Sequence, residues 1–256
     1  MTVRRPPHPV VSRDTLAPVL RDVRAVVFDT DGVITDSARV HAAAWKTAFD
    51  AFLRENPPEN PGLRRPFDER DDYLRYGDGK SRLDGAATFL AARAVGASEE
   101  AVRAVAAEKE RLFTGRPRER GVAAYPGTVR LVRALRRTVA AASASRHAGE
   151  LLAGAGVSDL FGVLVDGGEA ARLVLAGKPR PDLFLEAARR PGVPAERVAV
   201  VEDALAGVEA GRNGGFALVV GVDRAAGPDT AARLLRHGAD VVVRDLEELL
   251  AGGTPT

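Results

Sequence analysis

The chain of 256 residues contains no cysteine. Disulfides, thiolate metal sites and cysteine nucleophiles are therefore excluded. Aromatic residues make up only 5 % of the chain, and no apolar run approaches the ~20 residues that a membrane-spanning helix needs. An excess of one charge is missing too: 37 Lys and Arg stand against 35 Asp and Glu, a formal net charge of +2. A nucleic-acid face needs a clustered basic patch, and here basic residues are spread among acidic ones. Neither a nucleic-acid nor a membrane partner is expected. Met1 to Val10 carries charge and three prolines but no apolar stretch of the kind a secretory signal has, so a cytoplasmic location is the default.

Lysine is also scarce. Only Lys46, Lys80, Lys109 and Lys178 occur, and every other basic residue is Arg. An ammonium is a compact point charge, whereas a guanidinium is a planar fork. A position that keeps Lys is thus a candidate for needing the point charge, with chance retention on the surface as the alternative.

What is present is ordinary for a globular protein, with 45 % apolar and 28 % charged residues. The length accommodates one large domain or a main domain plus a smaller one. The most informative stretch is Val26-Val27-Phe28-Asp29-Thr30-Asp31-Gly32-Val33-Ile34-Thr35-Asp36. Its apolar run reads as a parallel strand buried on both faces. Asp29 and Asp31 then sit at the carboxyl end of that strand, where open α/β sheets bind ligands. Two carboxylates so close repel each other, and a bound cation is the natural way to stabilise them.

Along the chain, residues 1–22 read as an arm that ends in a short helix, and 24–28 as the first strand. Helical spacing of Val40, Ala44, Trp45, Ala48, Phe49 and Phe52 predicts a helix from Ser37 to about Leu53. Four prolines make 54–66 a loop. Residues 67–120 read as helical, broken near Gly77-Asp78-Gly79 and at Gly96. From 121 onward strands alternate with helices, with strands expected at 139–142, 163–165, 198–201, 216–220 and 241–243. That alternation implies right-handed βαβ units and an α/β, doubly wound parallel sheet. The first strand belongs to it, so the helical block is an insertion. The core is expected at 1–36 and 121–256, and a helical cap domain at 37–120.

Polar groups gather at the predicted strand ends. They are Asp29 and Asp31, then Ser143-Ala144-Ser145-Arg146-His147, then Glu202-Asp203, with Lys178 in a loop between strands. A parallel sheet brings such ends to one crevice. Oxygen-only donors suit Mg²⁺. A nucleophile beside that metal, with cationic and hydroxyl donors, is what phosphoryl transfer needs, because charge spreads over the non-bridging oxygens.

In this order the Asp29–Asp36 stretch, Ser143, Lys178-Pro179 and Glu202-Asp203 resemble the four signature motifs of the haloacid dehalogenase superfamily. His41-Ala42-Ala43-Ala44-Trp45-Lys46, Ser143-Ala144-Ser145 and Glu202-Asp203-Ala204-Leu205-Ala206-Gly207 are most similar to its β-phosphoglucomutase family. The resemblance spans roughly residues 24–222 and implies a Rossmann-like core with a helical cap. It implies Asp29 as nucleophile and Asp31 as general acid/base, the latter giving its backbone carbonyl to Mg²⁺. Asp29 and Asp203 would hold that metal with Glu202 assisting, and Ser143 and Lys178 would bind the transferring phosphate. Arg82 would hold a second phosphate from the cap side, with Ser145, Arg146 and His147 on the core side. Lys109 would contact substrate and His41 would be linked to closure, with Thr35-Asp36-Ser37 and Gly121–Tyr125 as hinges.

Structural alternatives stand beside several of these. Glu202 also suits a helix start, Arg82 a surface helix charge, Lys109 a solvated charge run, and His41 a packed polar residue. The chain departs from the family pattern at Thr30, where Leu is usual, and at Arg146-His147, where Lys-Asn is usual. The implied substrate is a small phosphorylated sugar or cyclitol, and the expected assembly is a monomer or weak dimer. A mutase returns the phosphoryl group to a second hydroxyl, and a phosphatase gives it to water. Both remain open at this point, while a non-catalytic phosphate-binding module is the reading from another class.

Overall fold

The computed structural model describes residues 16–95, 98–115, 122–135, 138–224 and 229–250. The arm before residue 16, Gly96, Gly121 and the expected boundary at 120/121 lie outside the described residues. Six apolar runs form one all-parallel sheet, because strands covered by helices on both sides have no wet face. They are β1 (Ala25–Asp29), β2 (Thr138–Ala142), β3 (Val163–Val165), β4 (Val198–Glu202), β5 (Leu218–Val222) and β6 (Val241–Val243). Their order is β3-β2-β1-β4-β5-β6. The helices are α1 (Ala38–Glu55), α2 (Arg82–Ala92), α3 (Glu99–Gly115), α4 (Pro126–Ala134), α5 (Ala148–Gly154), α6 (Gly167–Arg172), α7 (Asp182–Arg189), α8 (Leu205–Asn213) and α9 (Thr230–His237).

Successive side chains of a strand point to opposite faces. Val26 and Phe28 of β1 therefore join Leu131, Val201 and Leu246 in one core, while Ala25 and Val27 join Phe184, Val200 and Phe216 in the other. The chain leaves β1 for β2 on one side and later returns from β3 to β4 on the other. Strand order reverses there, which opens a crevice at the carboxyl ends of β1 and β4. Asp29 ends β1 and Glu202 ends β4, so backbone topology alone brings both carboxylates to that crevice.

Helices α1, α2 and α3 lie between β1 and β2 and have a core of their own. Phe49 is its centre, 4.0 Å from the Phe89 ring, 4.7 Å from Trp45 and 5.1 Å from Phe67. The two chain crossings into this unit run side by side. Thr35 bridges Ala124, Asp36 N donates to Ala123 O, and Tyr125 N donates to Ile34 O.

Three expectations need correction. The strand expected at 216–220 is β5, two residues later. Phe216 instead packs edge-on against Phe184 of α7 at 6.3 Å, and pairing with β4 begins at Leu218. The 54–66 loop begins after Glu55 and contains a 3-10 turn at Pro61–Leu63, capped by Asn60 Oδ1 accepting from Gly62 N. Residues 67–70 are not helical. A single π-helical turn, Tyr73–Gly77, precedes the extended residue Asp78 and then α2.

The proline-rich loop is fastened by charge. Asp72, 1 % exposed, accepts from both terminal nitrogens of Arg65 at 2.7 Å and from Arg93 Nη2 at 2.8 Å. Arg93 also donates to Leu63 O, and Lys46 donates to Phe67 O and Asp50. Removing one partner of a buried pair leaves the other charge uncompensated, at a cost of about 3–5 kcal/mol. Asp72→Ala is therefore expected to destabilise the protein by about 3 kcal/mol. The check is the urea midpoint followed by fluorescence of Trp45, the single tryptophan; an unchanged midpoint would mean that other contacts hold the loop.

Candidate active site

The site begins where β1 stops. Beyond Asp29 the chain makes a tight loop in which Thr30 O accepts from Ile34 N, Thr35 N and Thr35 Oγ1. Gly32 lies in this loop with φ +83°, and an added Cβ there would fall 1.8 Å from Asp203 Oδ2. Only glycine satisfies both the backbone and the neighbour. The second acid pair is seated in the same way, since a Cβ on Gly207 would fall 1.7 Å from Glu202 Oε1.

Lys178 joins the two strand ends. Its Nζ, on a residue 3 % exposed, donates to Asp29 Oδ1 at 2.5 Å and to Glu202 Oε1 at 2.6 Å. Burial opposes its charge, but Asp29 and Glu202 raise its pKa above that of an ordinary lysine, so it stays an ammonium. Burial pushes the Asp29 carboxyl up, Lys178 pulls it down, and Glu202 and Asp31 push it up again, for a net rise. Burial, Asp78, Glu202 and Asp29 likewise raise Asp203. The crevice thus holds more carboxylate than one lysine offsets.

That imbalance is the test of whether a cation fits. Asp29, Glu202 and Asp203 each offer an oxygen, all within 4.8 Å of one another. Asp203 Oδ1 is buried with no hydrogen-bond partner, and a buried acceptor without a partner is costly. The hard oxygen donors and excess negative charge suit a divalent cation such as Mg²⁺. The Asp31 side chain is turned elsewhere, so any metal contact from Asp31 falls to its backbone.

Asp31 Oδ1 accepts from Ser37 Oγ at 2.5 Å, and its Oδ2 accepts from Ser143 Oγ at 3.3 Å. His41 Nε2 lies 3.3 Å from Oδ1. Burial opposes the charge on Asp31, but His41, Ser37 and Lys109 hold its carboxyl well below the carboxylate range. Burial and Lys109 lower the His41 pKa. A neutral ring then accepts from Lys109 Nζ at Nδ1, 2.9 Å away, while its Nε2 lies near Asp31 without forming a hydrogen bond. Lys109 is buried, with Nζ 4.8 Å from the centre of the Phe113 ring, and the His41 ring stacks on Phe113 at 4.1 Å. Lys109 and His41 are therefore neither a solvated charge nor isolated packing; they lead from α3 to Asp31.

A cavity of about 360 Å³ opens over Asp29 and Asp31, with Arg82, Ser145, Arg146 and Lys178 in its wall. Ser143 Oγ accepts from Ser145 N, and Ser145 Oγ from His147 N, which shapes the turn after β2. Arg82 and His147 do not stand free. Both meet Glu110 Oε1, at 3.0 Å and 2.7 Å.

The residues expected at the strand ends thus come together, as do His41 and Lys109, while Arg82 and His147 meet through a residue that sequence reasoning passed over. Asp78 was also missed. In sequence it marks only a helix break, yet burial pushes its carboxyl up to about 7, with Glu202 adding to the rise. A carboxylate between two glycines, four residues before Arg82, was the available signal. Ser37 read as a helix start, but its hydroxyl serves Asp31 instead of capping α1.

The sequence model of the haloacid dehalogenase-like hydrolase family matches residues 23–215. The chain is 41 % identical to a beta-phosphoglucomutase of Mycobacterium tuberculosis, over 96 % of this chain and 98 % of that one. It is 29 % identical to a phosphorylated carbohydrates phosphatase of Thermotoga maritima, over 89 % and 97 % of the two chains. The crystal structure of a beta-phosphoglucomutase from Clostridium difficile superposes with a TM-score of 0.66 at 26 % identity, covering 89 % of this chain and 93 % of that one.

Burial pulls the Lys109 pKa from 10.5 down to about 8. The ammonium is charged below that pH and loses its charge as pH rises through it. Turnover of p-nitrophenyl phosphate is expected to fall above about pH 8. Lys109→Arg, which stays charged throughout, should carry activity to higher pH. An alkaline limb that does not move in Lys109→Arg would remove Lys109 from the pathway to Asp31.

Proposed function

The chain belongs to the haloacid dehalogenase-like hydrolase family, and on that premise we propose that it moves phosphoryl groups on a small sugar phosphate through an aspartyl phosphate at Asp29. It is an enzyme of phosphoryl transfer or hydrolysis. The finer reading rests above all on Lys178, whose single ammonium binds Asp29 of β1 and Glu202 of β4 beside Asp31. That arrangement aims a carboxylate nucleophile at a point flanked by a fixed positive charge and a proton-transfer group.

In the first half-reaction a carboxylate oxygen of Asp29 attacks phosphorus. The bond from phosphorus to the sugar oxygen breaks, and that oxygen takes a proton from Asp31, which the site holds ionised and which takes that proton up from solvent before the step. The products are phospho-Asp29, a free hydroxyl and ionised Asp31. In the second half-reaction a hydroxyl attacks phosphorus, gives its proton to Asp31, and the Asp29–phosphate bond breaks. Asp31 held ionised by His41, Ser37 and Lys109 is the form this second step uses as base. Ser143 Oγ and Lys178 Nζ are the donors for the transferring oxygens. Mg²⁺, held by Asp29, Glu202 and Asp203, would supply the charge neutralisation that lets a carboxylate approach a phosphodianion.

The unit of α1, α2 and α3 is the proposed cap, with the paired crossings at Thr35–Ser37 and Ala123–Tyr125 as its hinge. Closure over the crevice would exclude water. The acceptor in the second half-reaction is proposed to be a second hydroxyl of the same sugar, as in a β-phosphoglucomutase. Two observations support this: the 41 % identity to the mycobacterial protein of that name, and Arg82 and Arg146 in one cavity with Asp29. A sugar- or cyclitol-phosphate phosphatase is the second reading, favoured by the pairing of Arg82 with Glu110.

β-Glucose 1-phosphate with a bisphosphate activator should be converted to glucose 6-phosphate, with little inorganic phosphate released. Stoichiometric phosphate release without isomerisation would decide for the phosphatase. Asp29→Asn should lower kcat at least ~10³-fold, the order expected when a covalent nucleophile is lost, and chelation of divalent cations should abolish turnover reversibly. Full activity in Asp29→Asn would end the covalent reading.

A further inference from the structure

Glu110, on the inner face of α3, has no part in the chemistry above. Its Oε1 is 3.0 Å from Arg82 Nη1, at the start of α2, and 2.7 Å from His147 Nε2, just before α5. One oxygen therefore bridges the helical unit and the sheet domain across the far wall of the cavity. A carboxylate accepts only, so His147 donates from Nε2 and leaves Nδ1 towards Glu150 at 3.4 Å. Burial opposes ionisation of Glu110, yet the His147 hydrogen bond and the Arg82 charge hold its carboxyl below the ordinary range. It is an anion in place. The three side chains are only 20 % to 31 % exposed, so solvent screens their interaction only in part.

We propose that Glu110 is a specificity-determining residue, a built-in competitor for Arg82 that weakens the hold of the site on sugars carrying a second phosphate. This rests on the reading that the transferring phosphate sits at Asp29. A distal phosphate reaching Arg82 must displace the Glu110 carboxylate from the guanidinium or lie beside it as a like charge. A sugar with only hydroxyls at that end meets no such repulsion, because hydroxyls can donate to Glu110. Displacement from Arg82 need not part the two domains, since the His147 hydrogen bond can remain. Glu110 therefore tunes the balance between singly and doubly phosphorylated ligands separately from cap–core contact.

Glu110→Gln keeps the shape and an acceptor for His147 while removing the charge. The test is calorimetric binding of glucose 1,6-bisphosphate and glucose 6-phosphate, with Mg²⁺, in an Asp29→Asn background that cannot take a phosphoryl group. Adding Glu110→Gln should raise the ratio of bisphosphate to monophosphate affinity about 10-fold, the effect of removing one like charge at a half-buried site. Adding Arg82→Gln as well should erase that gain. An equal gain for both sugars, or one that survives Arg82→Gln, overturns the proposal alone. Failure of either sugar to bind the Asp29→Asn parent overturns the reading of the site, and this proposal with it.

Discussion

The site depends on one buried ammonium. Lys178 stands between the ends of β1 and β4, where strand order reverses and the sheet opens. The topology gathers carboxylates there, and a fold cannot bury several carboxylates together without positive charge. Lys178 offsets part of that charge. Asp203, with a buried oxygen lacking a partner, and Asp29, pushed up by its acidic neighbours, mark the part left over. The same imbalance that would strain an empty crevice favours a cation, so cation fit and residual instability have one electrostatic origin. Gly32 and Gly207 follow from it, since each leaves room for a carboxylate that a methyl group would displace.

The second constraint is that the environment of Asp31, the proposed proton-transfer group, is set from the helical unit. Asp31 sits in the core loop, but its environment comes from Ser37 and His41 near the start of α1 and from Lys109 of α3. The stack of His41 on Phe113 fixes the ring that joins them. Whatever moves α3 relative to the sheet alters the field at Asp31. In the proposed function, enclosure and proton transfer would thereby be linked without a dedicated signal, because one set of side chains lines the cavity and sets the environment of Asp31.

Legibility in the sequence follows the range of the interactions. The sheet could be read because a buried parallel strand is a local apolar run, and Asp29, Ser143 and Glu202 could be placed because they follow such runs directly. β5 was displaced by two residues because Phe216 continues the apolar pattern while packing on Phe184 instead of pairing. The helical unit was less legible. Arg65 and Arg93 converge on Asp72 from 7 and 21 residues away, and no local pattern announces a pair of that kind. Glu110 was hidden for a similar reason. In sequence it lies in a charged run, Glu108-Lys109-Glu110-Arg111, in which Glu108 pairs locally with Arg111 while Glu110 reaches His147, 37 residues away and just before α5.

The scarcity of lysine becomes physically meaningful at this scale. Around Asp72 the chain uses guanidinium groups, whose planar forks bind one carboxylate from two sides. In the crevice it uses an ammonium, which needs no plane and can turn its donors to two carboxylates from different strands at 2.5 Å and 2.6 Å. Lys109 repeats the choice, with one donor to His41 and its charge against aromatic faces. Around Asp72 the chain uses the fork of arginine, and at the two buried positions 109 and 178 it presents the point charge of lysine.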